Sequence, residues 1–99
     1  GSDPHTGVDC SGFTKYVMQH GAGVSLNRSS TSQSKQGTAI SADQMQPGDL
    51  IFYGSGRGIN HVAMYIGSGL VIHASNPSDG IKISNAYYRH PVKIGRVMN

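Results

Sequence analysis

A chain of 99 residues with 36% hydrophobic and 13% charged content is long enough to close one core, and too apolar for a disordered tail. Eight Lys and Arg against five Asp and Glu leave a net charge of +3, but the basic residues are scattered from Lys15 to Arg96 without a run, which argues against a nucleic-acid surface. No apolar stretch is long enough to span a bilayer, and a single cysteine, Cys10, rules out an intramolecular disulfide.

In chain order, Pro4, Gly7 and an extended Val8-Asp9 lead into Cys10. Phe13, Val17 and Met18 stand at helical spacing and predict a helix from Cys10 to His20, with Gly21 as its C-cap and Asp9 as its N-cap. Cys10 then falls in the first turn, where free N–H groups and the helix dipole favour a thiolate over a thiol of ordinary pKa, about 8.5. The same residue type also serves as a small buried hydrophobe, and the helix alone does not choose between the two.

Val24 to Arg28 reads as an extended connection, and the polar run 29–36 as a short surface helix stopped by Gly37. Ile40 to Asp49 is a turn-rich lead-in with a tight turn at Pro47-Gly48. The period then changes. Strands are expected at 50–53, 61–66, 70–75, 81–84 and 92–97, with glycine-rich turns at 54–58, 67–69 and 76–80. One or two helices ahead of an antiparallel sheet make an α+β plan in a single domain, 1–99. The chain reads as a module of a longer protein, and nothing in it demands more than a monomer.

The central hairpin carries a testable register. A three-residue loop, Gly67-Ser68-Gly69, sets Ile66 opposite Leu70, Ala63 opposite His73 and His61 opposite Ser75. His61 and His73 then share a face as diagonal neighbours, roughly 7–8 Å apart at the backbone. A two-residue loop would send them to opposite faces. Val62, Met64, Ile66, Leu70, Ile72 and Ala74 form the other, apolar face, expected to pack into the core and leave the histidines to meet something polar or a helix. His5, His20 and His90 fall in loop or helix-end settings and read as surface residues.

A thiol nucleophile needs an imidazole to take its proton, and that imidazole needs an orienting partner. Cys10 fits as nucleophile, His61 as base and His73 as orienter of the His61 ring. One thiolate and two imidazoles also suit zinc with an open fourth position, although the residues are too widely spread for a compact zinc motif.

Val8-Asp9-Cys10-Ser11-Gly12-Phe13, Met45-Gln46-Pro47-Gly48-Asp49-Leu50-Ile51-Phe52-Tyr53, His61-Val62-Ala63-Met64-Tyr65-Ile66-Gly67 and Val71-Ile72-His73-Ala74-Ser75 together resemble the NlpC/P60 family, in its order and spacing and over nearly the whole chain. The resemblance implies a papain-like α+β fold, with the cysteine at the N-terminus of a helix packed on a small antiparallel sheet. It implies a secreted or wall-associated bacterial cysteine peptidase, without cofactor or metal, acting on peptidoglycan stem peptides between D-γ-glutamate and the next diamino acid. By the same resemblance Cys10, His61 and His73 are catalytic, Asp9 and Ser11 contact the amino side of the substrate, and the Cys10 N–H donates to the oxyanion. For Asp9 and Ser11, helix capping is the alternative. Family members carry a Tyr-x-Trp/Phe-Gly-Gly segment shortly before the Asp-Cys-Ser-Gly, and this chain begins with Gly1-Ser2-Asp3 where that segment is expected to have ended. Two rival functions follow: an amidase cutting the glycan–peptide junction, and a silent wall-binding module with an incomplete pocket.

Overall fold

The computed structural model describes residues 10–55, 58–76 and 80–98. Helix α1, Cys10–Ala22, buries Phe13 and Met18. It runs past Gly21, and the residue that turns the chain is Gly23, at φ +68°, a left-handed conformation open to glycine. The Val24 N–H then donates to the Met18 carbonyl at 3.0 Å. Helix α2, Ser30–Ser34, is the short serine-rich helix, capped by Ser29. The Ser29 hydroxyl accepts from the Ser32 N–H, and the Ser32 hydroxyl accepts in return from the Ser29 N–H, a capping box with serine where glutamate is usual.

Six strands follow: β1 Thr38–Ala39, β2 Leu50–Ser55, β3 Gly58–Gly67, β4 Leu70–Asn76, β5 Gly80–Asn85 and β6 Pro91–Arg96. They form one antiparallel sheet in the order β1-β6-β2-β3-β4-β5. The fold is the α+β plan expected, with β1 an addition: two residues carry too little pattern to be seen in sequence.

The sheet is buried on both faces. On one side Leu50, Phe52, Val62 and Met64 pack with Met18 of α1 and with Leu26. On the other, Ile51, Tyr53, Ala63, Val71 and Ile94 pack with Ala86 of the segment after β5. The face expected to be apolar is therefore the helix side, except at the hairpin tip, where Ile66 and Leu70 are exposed. The histidine face differs from expectation: it is a second apolar core, closed by the chain between β5 and β6.

Met64 pairs with Ile72 and Tyr65 with Val71, the alignment that keeps the two histidines on one face. The turn itself is shorter than expected, because Gly67 pairs with Leu70 and leaves only Ser68-Gly69 as the loop. Both loop residues have positive φ, +56° and +75°, as a type I′ turn requires. A register shift between Tyr65 and Gly67 absorbs one residue, and that bulge restores the parity a two-residue loop would have reversed. Tyr53 stands opposite His61 in the register of β2 and β3, and a second shift just past it, between Tyr53 and Gly54, sets Gly54 opposite Ile59. Gly54 is required there, since a Cβ on it would stand 2.0 Å from the Gly58 carbonyl oxygen. At the far end of β2, the buried Asp49 carboxylate accepts from Arg96 Nε at 3.0 Å and Nη2 at 2.9 Å and from the Gln46 N–H, tying β6 to the turn before β2.

Candidate active site

Adjacent antiparallel strands with matched parity bring the two imidazoles into contact. His61 Nε2 lies 2.9 Å from His73 Nδ1. His73 Nε2 lies 2.9 Å from the hydroxyl of Ser84, on β5. The three side chains form one line of hydrogen bonds across three strands. His61 is 7% exposed and His73 1%.

Tyrosines wall this line. Tyr53, fully buried, donates its hydroxyl to the Ala86 carbonyl at 2.7 Å and so fixes the segment after β5 against the sheet. The Asn85 side chain accepts from the Tyr87 N–H, and the Ala86 N–H donates to the Gly69 carbonyl. The resulting turn carries Tyr88 onto the histidines: its ring stacks on His73 at 5.1 Å between centroids and meets Tyr53 edge-on at 5.3 Å. Arg89 lies 5.7 Å from the centre of the Tyr53 ring and donates to the Asn60 side chain.

Burial depresses the His61 pKa to about 4, helped by the neighbouring charges of His73 and Arg89. His73 is lowered too, first by burial and then by Lys82, its partner across the β4–β5 ladder. Tyr88 is raised, mainly by burial, with Arg89 opposing and the charge of Cys10 adding to the rise.

Cys10 opens α1, half-buried beside the helix-side core. Helix α1 packs against β3 and β4, the two strands that carry the histidine pair. The first turn of α1 is held by a buried amide. Gln33 of α2 donates to the Ser11 carbonyl at 2.9 Å and to the Asn27 carbonyl at 2.8 Å, while Thr14 donates to its Oε1 at 2.8 Å. Ser11 is buried, and its hydroxyl accepts from Arg28 at 3.0 Å. Asp9 lies outside the described residues, as does His5. His20, which stacks on Tyr16, and His90 are exposed. Among the described residues no group of three His, Cys, Asp or Glu side chains is placed to hold a metal ion; the two imidazoles bond to each other instead.

Ser84, Tyr53 and Tyr88 were not legible as site residues from sequence. The one available signal was the Tyr87-Tyr88-Arg89 cluster between two strands, where an ordinary turn carries small polar residues.

Comparison with known proteins agrees with this architecture. The NlpC/P60 family model matches residues 1–94. A protein named probable endopeptidase p60, from Listeria monocytogenes, is 43% identical over 98% of this chain and 20% of its own length. The gamma-D-glutamyl-L-lysine dipeptidyl-peptidase of Bacillus cereus is 40% identical over 78% of this chain and 24% of its own. The chain thus spans about a fifth to a quarter of these relatives. The crystal structure of the NlpC/p60 domain of the peptidoglycan hydrolase SagA superposes with a TM-score of 0.84 at 38% identity, covering 97% of this chain and 81% of that one. With a cysteine-headed helix on a six-stranded antiparallel sheet of papain-like form, the chain belongs to the NlpC/P60 family.

Proposed function

We propose that the chain is the catalytic module of a bacterial peptidoglycan hydrolase, a secreted or wall-associated cysteine endopeptidase. Its target is the bond between D-γ-glutamate and the diamino acid of the stem peptide. The observation that carries this reading is the buried His61–His73–Ser84 line, in a chain whose one cysteine heads a helix packed against β3 and β4. The bond is suggested by the Bacillus cereus relative, whose name specifies gamma-D-glutamyl-L-lysine.

The line constrains tautomers. For His61 to act as base its Nδ1 must be a bare lone pair, which puts its proton on Nε2. That N–H donates to His73 Nδ1, so His73 carries its proton on Nε2 and donates to the Ser84 hydroxyl. With a pKa near 4, His61 is neutral across the physiological range and free to accept.

The chemistry follows in balanced steps. The Cys10 sulfur attacks the γ-carbonyl carbon as its proton passes to His61 Nδ1, giving a tetrahedral oxyanion that the Cys10 N–H stabilises. The C–N bond then breaks, His61 returns its proton to the departing amine, and a thioester remains. Water, deprotonated by His61, hydrolyses the thioester and regenerates the thiol. Asp9 and Ser11 flank the nucleophile and are assigned to the amino side of the substrate. Stem tetrapeptide incubated with the chain is expected to release the alanyl-γ-glutamyl dipeptide by mass spectrometry, and Cys10→Ala to release none. Equal release by Cys10→Ala would overturn the reading.

A further inference from the structure

We propose that Tyr88 is a positioning residue of this site: its ring roofs His73 and shields the His73–His61 hydrogen bond from water. Its kinetic consequence rests on the peptidase reading; its structural content does not.

The ring planes of Tyr88 and His73 are inclined by only 30°, with centroids 5.1 Å apart. Tyr88 is itself 42% exposed whereas His73 is 1% exposed, so the phenol has one face to solvent and the other to the imidazole. It is held in place by the edge of Tyr53, at 65°, beneath it. The polar and charged groups that face His73 are His61 at Nδ1, Ser84 at Nε2, and Lys82 across the ladder. Arg89 follows Tyr88 in the chain, and its charge and that of Cys10 act on Tyr88 in opposite senses. No other described aromatic ring lies against His73, apart from His61 at 5.0 Å.

Removing the ring admits water to His73, and burial is the leading cause that keeps this imidazole unprotonated. A protonated His73 Nδ1 cannot accept from His61 Nε2–H. The base then loses the contact that fixes its tautomer, although no reacting group has been touched. The roof is the ring and not the hydroxyl, which bonds to Arg89, so phenylalanine should keep the roof while losing that bond.

Two readouts on the folded chain test this. In proton NMR, the ring N–H of His61 is expected as a resolved, slowly exchanging signal in the wild type and in Tyr88→Phe, and to be lost in Tyr88→Ala. The His73 titration midpoint should rise in Tyr88→Ala and stay put in Tyr88→Phe. The acid limb of kcat/KM on stem peptide should move up with it, by about one unit, or ~10-fold in rate on the acid side. A fold defect alone would reduce the active fraction without moving the limb. Unshifted midpoints in Tyr88→Ala would overturn the proposal. Should that variant not fold, a wild-type ring proton exchanging too fast to observe would overturn it equally. The two readings fail separately: a chain that titrates as described yet cleaves nothing keeps the roof and loses the peptidase.

Discussion

Gln33→Leu offers the sharpest test of how the helix that begins at Cys10 is held. The substitution keeps the volume of a fully buried side chain but removes three hydrogen bonds, two donated to the Ser11 and Asn27 carbonyls and one accepted from Thr14. Their fates differ. The Ser11 carbonyl keeps the Thr14 hydroxyl at 3.1 Å, which then serves it alone. Asn27 is exposed and its carbonyl can turn to water. At ~1 kcal/mol net for each bond lost, and with no buried group left wholly unpaired, the expected cost is ~2–3 kcal/mol. For a domain of this size that lowers the thermal midpoint by roughly 10–20 °C. Circular dichroism melts and urea titration, read beside Thr14→Val and the double variant, measure it. The cycle should show coupling of at least ~0.5 kcal/mol, since the pair shares one bond. A loss under ~0.5 kcal/mol for Gln33→Leu would mean that this amide does not hold the first turn of α1.

Three further outcomes are expected. Gly54→Ala, whose Cβ meets the Gly58 carbonyl, should cost ~1–3 kcal/mol and shift the amide resonances around His61, read by denaturant unfolding and NMR. The His61 pKa is about 4 in the fold against 6.5 unfolded, so the unfolded chain binds a proton that the fold excludes. Stability is therefore full above pH 6.5, falls as pH drops towards 4, and levels off below. The whole shift corresponds to ~3 kcal/mol, which sets the order of the expected loss; His61→Gln should flatten that slope in pH-dependent urea titrations. Ser84→Ala, which frees His73 Nε2 of its partner, should lower kcat/KM by ~5-fold through a bond of about 1 kcal/mol, with KM little changed in steady-state assays.

Local chemistry made much of this legible. Period-2 alternation located the long strands, and the parity of the hairpin followed from Gly67 and Gly69 with their neighbours. The right register came with the wrong loop length, because a bulge at Ile66 and a type I′ turn together imitate the three-residue loop. The helix end moved from Gly21 to Gly23, since glycine costs only ~1 kcal/mol inside a helix and packing outweighs it. His61 and His73 were readable as a pair because one hairpin holds both. Ser84 and Tyr88 were not, because their nearness to His73 depends on β5 joining β4 and on Tyr53 pinning the turn that follows. Such contacts are products of tertiary closure, which no spacing in the chain announces.

Among the described residues strand β5 is the outermost strand on its side of the sheet, and Ile81 and Ile83 on it are 45% and 58% exposed. An open edge flanked by isoleucines is a template on which another strand can add. Lys82 stands between them, at the midpoint of that edge. A second strand docking there would have to accommodate this ammonium group, and two copies meeting edge to edge would bring two of them together. The same charge disfavours a proton on His73. Replacing Lys82 by a neutral residue would thus be felt twice, as a chain more prone to self-association and as a histidine easier to protonate.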